Sequence, residues 1–215
     1  MKVPKAVIFD MDGVLSDSEW IYEEKILEVL REEGIFIEAD EINDLFGQSM
    51  LNICVELKKR YYLSEQAKYY ADRVHHLRDV LIEKEGLFPM EGAVDIVCRL
   101  HESGIPVAVA SSAPMETIRG NMRRFGIDKF IDCLVSGFEC SHGKPDSEIY
   151  LRAASLLGVD PGNCIAVEDS SNGVAAAKAA GMYCIAFVPP KAVPQDVSIA
   201  DEIVSSLRDI TISVI

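Results

Sequence analysis

The apolar positions along this chain change rhythm twice. Residues 6 to 9, Ala-Val-Ile-Phe, form a continuous apolar run, the pattern of a strand buried on both faces. From Asp17 to Glu33 the spacing becomes helical: Tyr22, Ile26, Val29 and Leu30 fall at i, i+4, i+7 and i+8, and Gly34 closes the stretch. Met50, Ile53, Cys54 and Leu57 make a second stripe, and Tyr70, Val74, Leu77 and Leu81 a third that stops at Gly86. Residues 17 to 86 are therefore expected to be helical throughout. Beyond Gly86, short apolar runs at 105–110, 133–135, 164–167 and 184–188 alternate with helical segments near 91–103, 114–125, 146–158 and 171–180. This alternation is the βαβ rhythm of a parallel sheet.

The first strand, isolated ahead of a helical block, most simply belongs to the same sheet. The expected fold is α/β. Residues 1–16 and 87–215 form a Rossmann-like parallel sheet covered by helices on both faces, and residues 17–86 form an all-helical cap domain inserted after the first strand. A chain of 215 residues buries a sizeable core without staples, and 49% hydrophobic with 26% charged residues excludes disordered and collagen-like chains.

Charge narrows the partners. Lys and Arg number 21 against 35 Asp and Glu, a net charge of −14 that repels phosphate backbones and acidic lipid heads. No nucleic acid and no membrane is expected as a partner, and an anionic small substrate must be attracted locally, by a metal or a few placed cations. Cysteines 54, 98, 133, 140, 164 and 184 contain no C-x-x-C pair, so they read as buried thiols in a reducing compartment rather than a zinc site. The opening MKVPKAVIFD has too short an apolar run for a signal-peptide core or a membrane span. A cytoplasmic monomer is expected.

Four polar sets follow the predicted strands. FDMDGV places Asp10 and Asp12 at the end of the first, with Gly13 permitting a sharp turn. Two carboxylates so close repel unless a cation lies between them or one keeps a proton, which suggests a magnesium site or an acid/base pair; an Asp turn beside a solvated Asp is the plainer alternative. VAVASSAP puts Ser111 and Ser112 at a strand end ahead of a helix, suited to an anion or to simple capping. HGKPDSEIY fixes Lys144 on a loop before a helix, and VEDSSNG sets Glu168 and Asp169 before an Ala-rich helix whose dipole they could merely cap. Singly each is ambiguous; four sets at the C-terminal side of one sheet are where open α/β sheets hold ligands.

In this order D-x-D-G-V, the serine after a hydrophobic strand, G-K-P-x-x-x-x-Y and E-D-S-x-x-G resemble the haloacid dehalogenase superfamily of phosphohydrolases. The similarity is to its helical-cap branch, which includes β-phosphoglucomutase and many sugar-phosphate phosphatases, and it spans essentially the whole chain. The resemblance implies Asp10 as a nucleophile forming an aspartyl phosphate and Asp12 as general acid, then base. It implies Mg2+ held by Asp10, the Asp12 carbonyl and Asp169, with Glu168 bound through water or orienting neighbours, and phosphoryl oxygens held by Ser111 and Lys144, with Ser112 beside them. It also implies a rigid cap that closes on hinges near Leu15–Ser18 and Gly86–Pro89. The substrate would be a small phosphorylated metabolite.

Two positions separate hydrolysis from mutase chemistry. Tyr22 stands where β-phosphoglucomutase has a His, and Met50, within FGQSML, where that enzyme has an Arg that holds the phosphate not transferred. A thioether cannot bind a dianion, so hydrolysis is favoured, with Lys58 or Arg60 the cations able to restore the lost contact. Gln48 and Ser49 are neutral donors suited to sugar hydroxyls. An inactive binding protein on the same fold is the competing class.

Overall fold

Ala6–Phe9 forms a strand whose four side chains are fully buried, as an unbroken apolar run demands. The structure is a computed structural model that describes residues 4–17, 19–45, 50–189 and 195–211. In chain order its elements are β1 (Ala6–Phe9), β2 (Ser16–Asp17), α1 (Glu19–Glu32), α2 (Met50–Tyr61), α3 (Ala67–Glu85), β3 (Phe88–Pro89), α4 (Ala93–Glu102) and β4 (Val107–Ser111). There follow α5 (Met115–Arg124), β5 (Cys133–Ser136), α6 (Glu148–Leu157), β6 (Cys164–Glu168), α7 (Ser171–Ala179), β7 (Tyr183–Phe187) and β8 (Glu202–Val204).

The main sheet runs β5-β4-β1-β6-β7-β8, every neighbouring pair parallel. The chain builds outward from β1 through β4 to β5, then crosses back to build the other side from β6. The end of β1 is therefore the point where strand order reverses and a crevice opens. Small residues line one face of this sheet: Ala108, Ala110 and Ala166 meet Ala153, Ala154, Ala176 and Ala177 of α6 and α7 in one buried cluster. Short side chains let helix and sheet backbones approach closely, which fixes the strand ends rigidly.

The chain divides into two compact units, one covering residues 4–17, 88–189 and 195–211 of those described, the other 19–45 and 50–87. In the second, Ile26, Leu30, Ile42, Ile53, Leu57, Tyr70 and Val74 of α1, α2, α3 and an intervening 3-10 turn (Ala39–Leu45) share one apolar core. The expectation of helix throughout 17 to 86 is corrected here. Residues 35–38 carry no regular structure, 39–45 are 3-10, and Asp17 pairs antiparallel with Phe88 as part of the two-residue strands β2 and β3. Asp17 thus stands with the sheet unit, because two backbone hydrogen-bonding residues leave no apolar period to read. The short edge strand β8 escaped notice for the same reason: of its three residues only Val204 is buried.

All six cysteines are free thiols; burial pushes Cys54, Cys133 and Cys164 up to about 11 and Cys184 to about 12. No helix among the described residues is long and apolar enough to cross a membrane.

Candidate active site

The turn after β1 is built around one carbonyl. Asp10 N–H donates to Val167 O of β6 (3.0 Å), and Met11 O then accepts from Leu15 N (2.9 Å), Ser16 N (2.8 Å) and Ser16 Oγ (3.1 Å). Gly13 takes φ +79°, a conformation side chains disfavour, and any Cβ there would overlap the Asp169 carboxylate. Glycine thus lets the end of β6 lie against the turn of β1. Asp12 Oδ1 accepts from Ser16 Oγ at 3.4 Å.

The β4 turn lies alongside. Ser111 is wholly buried and its Oγ accepts Ala113 N–H (3.1 Å); Ser112 is exposed. Ser136, at the end of β5, braces this turn by donating to Ala113 O at 2.6 Å. Pro114 then starts α5.

Lys144 joins the strands. Its side chain is 8% exposed, and its three N–H bonds meet three acceptors: Asp10 Oδ1 (2.5 Å), Glu168 Oε1 (2.5 Å) and Ala110 O (3.2 Å). Glu148 steadies the preceding loop by accepting N–H groups of Ser141 (2.8 Å) and His142 (3.0 Å). That duty occupies the exposed His142, Asp146 and Glu148 cluster.

Glu168 has no exposed surface, and both its oxygens are engaged. Oε1 accepts Lys144 and the Tyr150 hydroxyl (2.6 Å); Oε2 accepts Asp169 N–H (3.2 Å), Ser170 N–H (3.4 Å) and Ser170 Oγ (3.2 Å). The carboxylate sits so close over Gly173, in the first turn of α7, that a Cβ there would overlap it. The positive end of α7 adds to these donors.

Ligand atoms of Asp10, Glu168 and Asp169 all lie within 4.8 Å of one another. One ammonium does not balance them. Burial pushes the Asp10 carboxyl up to about 7, against the pull of Lys144 and with the push of Glu168 and Asp12. Burial alone would depress Lys144, but Asp10 and Glu168 outweigh it and hold the ammonium firmly charged. The cluster is short of positive charge, its donors are hard oxygens, and the residues present fit a small divalent cation such as Mg2+. With both Glu168 oxygens given to protein donors, Asp10 and Asp169 are the carboxylates suited to direct ligation, and Glu168 to orienting them.

The sequence-predicted residues Asp10, Lys144, Glu168 and Asp169 are brought together, with Asp12 and Ser111 on the adjoining turns. Tyr22 belongs to the helical unit, where its ring meets His75 edge-on (5.9 Å) and carries the Arg78 guanidinium 5.1 Å from its centroid. Arg78 Nε is buried with no hydrogen-bond partner among the described residues. Lys58 donates to the carbonyls of Leu63, Ser64 and Glu65, and Arg60 to Glu41 O, so helix-end duties occupy both. Gln48 and Ser49 lie outside the described residues. Tyr150 was visible only as the last letter of a motif, and Ser136 carried no signal. A cleft of about 380 Å3, lined by Arg119, Arg123 and Asp132 among others, lies at the start of β5, the opposite end of that strand from Ser136.

Known proteins are similar to this chain. Hexitol phosphatase B of Escherichia coli K12 is 34% identical over 96% of this chain and 94% of its own. A phosphorylated carbohydrates phosphatase of Thermotoga maritima is 32% identical over 83% of this chain and 82% of its own. Among solved structures, a putative β-phosphoglucomutase from Thermotoga maritima superposes with a TM-score of 0.75 at 28% identity, covering 95% of each chain. The profile of the haloacid dehalogenase-like hydrolases matches residues 4–181, and with strand ends, lysine and acidic cluster disposed as above, the chain belongs to that family of enzymes.

Proposed function

We propose that the protein is a magnesium-dependent phosphatase of small phosphorylated carbohydrates, sugar or sugar-alcohol monophosphates, working through an aspartyl phosphate on Asp10. The observation that carries this is the Asp10 carboxylate at the sheet's reversal point, clamped by Lys144 and within ligand distance of Asp169. Relatives named for hexitol and carbohydrate phosphates support the substrate class.

A carboxylate and a phosphate dianion repel, so positive charge must stand between them before attack. Lys144 supplies it, trading one of its protein acceptors for a phosphoryl oxygen, while Glu168, held by five donors, keeps the ammonium aimed. Bound Mg2+ would add two charges shared by Asp10, the Asp12 carbonyl and Asp169, neutralising the phosphoryl group. Asp10 attacks phosphorus. Asp12 protonates the departing sugar oxygen and then takes a proton from the water that frees the phosphate. N–H groups at the start of α5 and the Ser111 turn receive the remaining phosphoryl oxygens, Ser112 being exposed beside them. The helical unit, carrying Tyr22, Gln48 and Ser49, selects the leaving group.

Hexose phosphate isomerisation is the second reading, supported by the likeness to a putative β-phosphoglucomutase and by His75 and Arg78 beside Tyr22. Met50 and the occupied Lys58 and Arg60 favour hydrolysis, because a bisphosphate needs a second anchor. Incubation with β-glucose 1-phosphate and a trace of bisphosphate distinguishes them. Free phosphate should outpace glucose 6-phosphate; the reverse order would establish the mutase. A panel of hexose and hexitol phosphates then ranks leaving groups.

A further inference from the structure

Asn121 is a polar residue on the buried face of α5. It is 7% exposed, between Ile118 and Met122, both fully buried. A buried amide in such surroundings costs stability unless it is bonded, and leucine would pack there more cheaply. Its Nδ2 donates to the Met11 sulfur at 3.6 Å, across 110 residues of chain. Met11 is 1% exposed and stands between Asp10 and Asp12. Its carbonyl already gathers the turn that follows, accepting from Leu15, Ser16 and the Ser16 hydroxyl. The backbone of Met11 is thus held from one side and its side chain from the other.

We propose that Asn121 is a positioning residue, keeping the Asp10–Asp12 turn in register with the Ser111 turn by fixing the Met11 side chain. An unbranched thioether has several rotamers of similar energy, and a directional N–H donor selects one. The donor sits on α5, the helix that begins directly after Ser111–Pro114, so a single side chain ties the carboxylate turn to the anion-binding turn. The inference rests on the phosphatase reading above.

The test uses the full chain with Asn121→Leu, Met11→Leu and the double variant, read by kcat, KM and Tm with magnesium and a hexose phosphate, and by methyl NMR with 13C-labelled methionine. Asn121→Leu should keep or raise Tm while lowering kcat about tenfold and leaving KM within about twofold, and the double variant should be no slower than either single one. The Met11 methyl resonance, assigned by its loss in Met11→Leu, should shift and broaden in Asn121→Leu. An unchanged Met11 methyl, an unchanged kcat, a kcat loss that follows a fall in Tm, or additive losses would each overturn the inference. If wild type releases no phosphate from any phosphorylated carbohydrate, the functional reading fails by itself, and the methyl spectrum still decides whether Asn121 fixes Met11.

Discussion

Lys25 in the helical unit and Lys144 in the sheet unit are both nearly buried, yet they are held by different means. Lys25 is 9% exposed, but its partners Glu24 and Glu28 share its helix and are 47% and 39% exposed, so its charge is answered half in water. Lys144 is 8% exposed, and its partners Asp10 and Glu168 are 10% and 0%. One unit keeps polar groups at the rim of a hydrocarbon core; the other gathers opposite charges where the dielectric is low and each contact is strong. Only the second arrangement is ready to act on a charged reaction centre.

The two lysines break or keep that contrast most directly. In metal-free protein Lys144→Met leaves two buried carboxylates without a cation and should cost about 3–5 kcal/mol of stability, with turnover in magnesium falling more than about a hundredfold. Lys25→Met should cost less than about 1 kcal/mol and leave turnover intact. Urea unfolding and phosphate release check both, and equal losses would erase the distinction.

Next in size is a pair of helical glycines. Gly120 in α5 has open space where a Cβ would stand, so Gly120→Ala should raise stability by about 0.5–1 kcal/mol on helix propensity alone. Gly173 in α7 faces the Glu168 carboxylate, so the same substitution should displace that carboxylate and cut turnover at least about tenfold, despite the propensity gain. An active, stabilised Gly173→Ala would remove Glu168 from the account.

How much could be read from the chain follows the same division. Asp10, Glu168 and Asp169 were legible because charged residues next to buried strands have few structural reasons to be there, and Lys144, on the loop before α6, because it belongs to an ordered series of motifs. The parallel sheet was legible because doubly buried strands leave unbroken apolar runs. Asn121 was not, since it stands among the apolar positions Ile118 and Met122 on the buried face of α5 and a periodic reading averages it away. Tyr150 was not, because a tyrosine on the inner face of a helix looks like core until its hydroxyl is seen 2.6 Å from Glu168. In the helical unit the apolar stripes showed the helices but no function, because no ordered polar motif accompanies them. The pairing of Tyr22 with His75 and Arg78 is a product of packing between α1 and α3.

Tyr150→Phe sharpens the contrast more gently. It removes one donor from a buried carboxylate, a charge-assisted bond worth about 1.5–3 kcal/mol, and should lower kcat several-fold with KM little changed. An unaltered kcat would mean that Lys144 and the α7 terminus suffice.

Acidity acts with opposite signs in the two units. Asp10, raised by burial to about 7, favours the folded metal-free chain fully below the ordinary carboxyl pKa of about 4, and that contribution is lost as pH rises through 7. Magnesium competes with the same proton, so its binding at pH 6 to 7 should release protons and weaken on acidification. Calorimetry in buffers of different ionisation enthalpy should show this in wild type and not in Asp10→Asn; equal heats in wild type would contradict it. Glu32, held below its ordinary value by the Arg73 hydrogen bonds, contributes above about pH 4 and loses that contribution as pH falls, a small effect at a surface pair.

Passage of the phosphoryl group through Asp10 has a direct chemical readout. Asp12→Asn, lacking the base that activates water, is mixed with magnesium and p-nitrophenyl phosphate, whose leaving group needs no general acid, then quenched in acid and mapped by peptide mass. One phosphoryl group should appear on the peptide containing Asp10 and be absent when Asp10→Asn is added. A phosphoryl group on another residue, or none on any peptide while the wild type releases phosphate, would contradict it.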